Sequence, residues 1–211
     1  MYKVPAGLYV DVRIEDSFET SISFKKDRLE QQKVRNNKGA FIRVFDGNRW
    51  YYSSITDINA IQEKIDQLAT MAKPDPQIHN HPIVKAFEVN KDQKIFFKDR
   101  SITDIGVAEK QALLESYIGL LDRPEIVHHT SYYVDKRIVK SIYSSKGTAL
   151  VFDKQLCGIR LNLDMAYGEN KDKGTVSKAA SYYQDLTDLM AHFTDQIDKS
   201  IEFVKEAQPV E

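Results

Sequence analysis

The residues best able to do chemistry in this chain are few and scattered. His79-Asn80-His81-Pro82 sets two imidazoles at i and i+2, and in an extended segment both would project to one side, where they could offer two nitrogens to a metal ion. A structural site takes about four ligands and no second pair stands nearby, so the spacing predicts loop histidines. His128-His129 are adjacent in a strand-like run, and adjacent strand residues point to opposite faces. Cys157, followed by Gly158, is the only thiol. A nucleophilic thiol needs an activating base and usually a helix start, and this stretch reads as a half-buried strand. The chain also has no GxxxxGK[ST], no GxGxxG after a strand, no GxSxG and no HExxH, the patterns that place phosphates, an activated serine or a metal. No catalytic, cofactor-binding or metal-binding residue is therefore assigned, and the sequence names no substrate-binding residue.

Two collective features remain. Lys25, Lys26, Arg28, Lys33, Arg35 and Lys38, with Phe24 interleaved, give one hairpin a local positive excess of the kind a nucleic-acid surface uses. Asp27 and Glu30 interrupt it, and a solvated sheet face accounts for it more simply. Tyr51-Tyr52, Tyr132-Tyr133, Tyr143 and Tyr182-Tyr183 fall in strand-like stretches, so one ring of each neighbouring pair faces outward. Outward rings suit a peptide groove or a subunit interface, and ordinary strand packing uses aromatics as well.

The elements that position these residues begin with alternation. Leu8, Val10, Val12 and Ile14 share one face, and Asp11, Arg13 and Glu15 the other, which is a half-buried strand. Further strands are expected over 20–24, 28–35, 40–45 and 50–54, separated by Lys26-Asp27, Asn36-Asn37-Lys38-Gly39 and Asp46-Gly47-Asn48, residues that suit tight turns. This reads as an antiparallel meander over 8–54. Ile58, Ile61, Ile65, Leu68 and Met71 keep helical spacing after Thr56-Asp57, which can cap a helix. Lys73-Pro74-Asp75-Pro76 ends it. Residues 73–104 look irregular, with a short strand at Ile95-Phe96-Phe97. A second helix is expected over 105–121 with Asp104 as its N-cap. Strands follow over 126–134, 137–144, 148–153 and 158–167. A closing helix carries Leu186, Leu189, Phe193, Ile197, Ile201 and Val204, with a break expected at Thr194-Asp195.

The two halves invite comparison. An offset of 108 sets Asp27-Arg28 on Asp135-Lys136 and Asn37-Lys38-Gly39 on Ser145-Lys146-Gly147, with Gly39 and Gly147 read as turn glycines needing positive φ. The fold class is thus α+β, antiparallel sheets with packed helices, with two related strand-and-helix subdomains over 1–104 and 105–211 as an expectation.

Composition bounds the function classes. The 211 residues carry 30 basic and 31 acidic side chains, a net charge of −1, so no bulk attraction draws the chain to nucleic acid or anionic lipid. No run approaches the roughly eighteen apolar residues of a membrane span, and the start MYKVPAGLYVDVRIED lacks the layout of a signal peptide. One cysteine forms no internal disulfide and suits a reducing compartment. A cytoplasmic location is expected.

Tyr9-Val10-Asp11-Val12-Arg13, then Gly39-Ala40-Phe41-Ile42-Arg43-Val44, then Asp46-Gly47 and Trp50 with Ser53-Ser54, resemble in order the N-terminal domain of the TldD/PmbA family, formerly described as modulators of DNA gyrase. Tyr143-Ser144-Ser145-Lys146-Gly147 resembles that family's polar turn. The resemblance implies an α+β domain with curved sheets, part of a cytoplasmic metallopeptidase assembly whose paired subunits admit small or unfolded peptides. It places the zinc-binding HExxxH helix in a separate C-terminal domain. No HExxxH occurs here, and Ala207-Gln208-Pro209-Val210-Glu211 is expected to be the junction before that domain. Two departures from the family stand out: the helix before the first strand is reduced to residues 1–7, and the catalytic half is absent. The expectations that follow are a substrate-admitting, dimer-supporting domain that is inactive alone. Its partners would be its own peptidase domain, a like or paralogous subunit and peptide, with neither membrane nor nucleic acid. The alternative is a stand-alone protein-interaction module.

Overall fold

The computed structural model describes residues 2–207; the expected junction at 208–211 lies outside the described residues. Seven strands form a sheet of order β3-β2-β1-β5-β6-β4, with β7 also paired to β6. They are β1 (Tyr9–Lys25), β2 (Arg28–Phe45), β3 (Trp50–Ile55), β4 (Lys91–Lys94), β5 (Ile126–Ser144), β6 (Ala149–Tyr167) and β7 (Asn170–Ala180). The α-helices are α1 (Ile61–Met71), α2 (Pro82–Ala86), α3 (Val107–Ile118) and α4 (Met190–Glu206). The chain is α+β, as its alternation and helical spacing predict. Two compact units divide it, the first of Met1–Ser17, Asn36–Lys98 and Ile138–Lys154, the second of Phe18–Arg35, Asp99–Arg137 and Gln155–Glu211.

The strands are longer than the alternation suggests. Five expected strands over 8–54 are three, because 17–19 and 36–39 are strand interior and not breaks. Asn36, Asn37 and Lys38 are exposed, and β3 pairs β2 only from Ala40 onward, so polar residues sit in this strand at no burial cost. Gly39 lacks a positive φ. A Cβ there would come 3.0 Å from the Ile55 carbonyl oxygen, so its glycine serves close approach of β3. Gly147 does have a positive φ, +105°, and makes the turn between β5 and β6. Asp135-Lys136 is likewise interior to β5, and residues 154–157 are interior to β6. The offset of 108 therefore equates the turn at Lys26-Asp27 with a strand interior. What does recur is element order: β1-β2-β3-α1 and β5-β6-β7-α4 each run three strands and then a helix.

In the first unit Val10, Val12, Ile42 and Val44 alternate onto one sheet face and meet Ile61, Ile65 and Leu68 of α1. A 3-10 turn, Ile58–Ala60, precedes α1, and Asp57 caps it by accepting from the Asn59 N–H. The short strand near 95–97 is instead β4, parallel to β6 in register Lys91↔Ala149.

In the second unit α3 and α4 bury Leu114, Tyr117, Phe193, Ile197 and Ile201 against Ile22, Tyr133, Ile159, Leu161 and Leu163. Gly106, not Asp104, is the N-cap of α3; Asp104 closes a 3-10 turn that Ser101 caps. The expected break in α4 is absent. Thr194 Oγ1 donates to the Met190 carbonyl and Asp195 pairs with Lys199 at 2.7 Å, so both side chains are satisfied within the helix instead of capping a new one. Strand β7 has no counterpart among the expected elements, since only Val176 in it is buried.

Candidate functional site

The residues singled out for chemistry are placed apart. His79 lies in a 3-10 turn, Ile78–Asn80, and not in an extended segment. His81 spends Nδ1 on capping α2, accepting from the Ile83 N–H at 3.2 Å. The alternation of β5 separates His128 from His129, whose Nδ1 is buried without a hydrogen-bond partner among the described residues. Burial first, then the cations around it, lowers the His129 pKa despite Asp27, so the ring stays neutral near pH 7. Among the described residues no group of three His, Cys, Asp or Glu could hold a metal ion, and the side chains present do not fit a zinc centre. Cys157 is 1% exposed, with Sγ 3.3 Å from the Ala180 carbonyl oxygen. Burial, then Asp135 and Asp185, push its thiol up to about 12, which leaves almost no thiolate at neutral pH.

Beside Cys157 lies a buried ion pair that sequence reading missed. Lys110 of α3 and Asp135 of β5 are fully buried, with Nζ 2.7 Å from Oδ2. The carboxylate also accepts from Tyr133 OH at 2.8 Å and Thr20 N at 2.9 Å. The ammonium donates to Thr20 Oγ1 and to the Ile102 carbonyl at 3.1 and 2.9 Å. Every strong donor and acceptor here has a partner inside the protein, so the cluster fixes α3 to the sheet and offers nothing to a ligand.

Among the described residues, the opposite face of the second unit's sheet carries no helix. Along β6 the odd residues from Gln155 to Met165 are buried and the even ones are not, so Leu156, Gly158, Arg160 and Asn162 look outward. With Tyr132, Val134 and Lys136 of β5 and Ser177, Lys178 and Ala179 of β7 they line a trough of about 520 Å³. A Cβ on Gly158 would meet the Lys178 carbonyl oxygen at 3.1 Å, so the glycine keeps the trough floor at backbone level. Asn162 braces one end, donating to Thr130 Oγ1 and accepting from Thr175 Oγ1, both at 3.2 Å. A second hollow of about 260 Å³, lined by Glu19, Ser21, Gln31, Lys33, Arg35 and Val134, lies over β1 and β2. Of the basic residues singled out in the sequence, Lys33 and Arg35 line this hollow, and all six are exposed.

The tyrosine pairs in β3 and β5 divide as strand geometry requires. Tyr132 is 37% exposed above a fully buried Tyr133, and Tyr52 is 60% exposed beside Tyr51, whose hydroxyl donates to Asp46 at 3.0 Å. Tyr182-Tyr183 lie not in a strand but at the 3-10 turn Tyr183–Leu186; Tyr183 is buried, and the Arg100 guanidinium lies 3.6 Å above the Tyr182 ring. In the first unit Arg43 forks onto Asp11 at 2.5 to 3.1 Å and stacks 4.7 Å over Trp50. Tyr2 and Tyr143 meet edge to face at an apolar hollow of about 500 Å³ that Lys91 also lines. The Asp11, Arg43 and Trp50 positions that carry the family resemblance are thus one packed cluster.

An α+β domain with one helix-free sheet face is the class these features define. Residues 10–72 match the family model described as PmbA/TldA metallopeptidase domain 1. The fold is similar to that of a "putative modulator of a DNA gyrase" from Thermotoga maritima, at TM-score 0.71 and 15% identity over 97% of this chain and 46% of that one. It is also similar to TldE from Thermococcus kodakarensis, at TM-score 0.67 and 12% identity over 96% of this chain and 45% of that one. A "putative modulator of DNA gyrase" from Bacteroides thetaiotaomicron gives TM-score 0.58 and 14% identity over 90% of this chain and 45% of that one. No curated protein sequence matches the chain. The TldD/PmbA likeness is thus shown in sequence over residues 10–72 and in fold over nearly the whole chain. The chain spans less than half the length of these solved structures. Among the described residues no helix is long and apolar enough to cross a membrane.

Proposed function

We propose that the chain is the N-terminal, peptide-admitting and dimer-supporting part of a TldD/PmbA-like metallopeptidase that acts on small or unfolded peptides in the cytoplasm. The observation that carries this reading is the metallopeptidase domain 1 match joined to a fold that accounts for under half of each similar structure. The remaining length is where a peptidase domain would stand. Polarising a peptide carbonyl and activating water call for a metal with an open coordination position. The described residues supply no such ligand set, so the reading assigns zinc chemistry to a C-terminal domain and gives this part substrate admission and pairing with a like or paralogous subunit. Purified chain with added zinc and fluorogenic peptides is expected to show no turnover above buffer. Zinc-dependent cleavage that follows the protein through purification overturns the assignment.

A further inference from the structure

Val134 lines both hollows on the helix-free face of the second unit, so the two form one continuous surface. Its charge is one-sided. Lys33, Arg35, Lys136 and Arg160 face Glu19, the half-buried carboxylate of this lining, because Asp135 is buried against Lys110; Lys178 pairs with the buried Ile159 and gives the trough only its backbone. Glu19 is held by Lys136 at 3.2 Å. Lys33, Arg35 and Arg160 have no ion pair among the described residues. Between the β2 cations and Arg160 of β6 lie Tyr132, Val134 and Leu156, which are 37%, 51% and 58% exposed.

We propose that this face docks an acidic polypeptide segment with an apolar centre. Carboxylates would meet Lys33 and Arg35 at one side and Arg160 at the other, and an apolar side chain would enter over Gly158 between Tyr132 and Leu156. Strands lie about 4.8 Å apart, so β2 is about 14 Å from β6. An extended peptide at about 3.3 Å per residue spans that with carboxylates about four residues apart. A nucleic acid would match the charge, but base stacking calls for a row of aromatic rings and the centre here is one tyrosine among aliphatic groups. A second copy of this face would set unpaired cations against unpaired cations, which disfavours self-pairing.

The proposal deepens the peptide-admitting reading and rests on it. The test is fluorescence anisotropy on the full chain with a labelled peptide of about twelve residues that carries two Glu about four residues apart and a Leu between them. The same peptide with Gln or Lys for Glu, and a labelled oligo(dT), serve as comparisons. The acidic peptide is expected to bind at least about tenfold tighter than the Gln form and to weaken as salt rises. R160E and the pair K33E/R35E are each expected to weaken it about tenfold or more, with thermal melts that stay near the parent's, as exposed positions allow. Equal binding of the acidic, neutral and basic peptides overturns this inference and leaves peptide admission standing. No binding of any peptide overturns both. Tighter oligo(dT) binding assigns the face to nucleic acid, and charge-reversed variants that keep full affinity remove it from this face.

Discussion

At the scale of single residues, the chain places its strongest electrostatics where no ligand can reach. Lys110 and Asp135 are both fully buried, and removing one partner strands the other in a medium that cannot solvate it. Lys110→Ala is expected to cost about 3–5 kcal/mol, and replacing both partners with Met and Leu to cost less; urea unfolding measures the difference. Asp46 gives a pH signature of its own. Burial alone would raise its pKa, but N–H donors from Arg49, Asn48 and Lys73 and the Tyr51 hydroxyl outweigh that and hold it at about 2, against 3.8 unperturbed. A depressed carboxylate contributes stability above its unfolded pKa and loses it as pH falls from 3.8 toward 2. Asp46→Asn is therefore expected to lower stability at pH 7 by about 1–2 kcal/mol and to flatten the acid side of the stability profile over that window. The Asp46-Gly47 turn was legible in the sequence, and the carboxylate's four donors were not, because Lys73 lies 27 residues away.

At the scale of elements, hydrophobic spacing located α1, α3 and α4 to within a few residues, because each has one buried stripe. It cut the long strands too often. Asn36 to Gly39 and Asp135-Lys136 look like turn residues, yet one stretch is exposed strand and the other buries its aspartate against a lysine from another element. Local chemistry cannot distinguish a turn from a strand whose polar residues are paid for by distant partners. Strand β7, with only Val176 buried, left no periodic trace. Two glycines that look alike in sequence separate by experiment. Gly147 at φ +105° is expected to lose about 1–2 kcal/mol or more on substitution by Val, from backbone strain. At Gly39, where φ is ordinary, Gly39→Ala is expected to act by pushing on the Ile55 carbonyl, read as faster amide exchange in β3 than in the rest of the first unit.

At the scale of the whole molecule, the family likeness rests on order: acidic-then-Arg strand, Gly-x-x-x-Arg-Val strand, Asp-Gly turn and aromatic strand all fall where the sequence put them, between residues 9 and 54. The open face was not legible, since its cations come from three separate strands and count for nothing in a total of −1. That total also misleads in the laboratory. An ion-exchange resin samples charge within about a Debye length, about 10 Å at 0.1 M salt, and so reads a patch instead of a sum. At pH 7.5, above the sequence pI of about 6.5, the protein is expected to be retained on a sulfonate column. The K33E/R35E variant is expected to elute in the flow-through. A preparation discarded because its calculated pI called for the opposite resin would discard the protein with it.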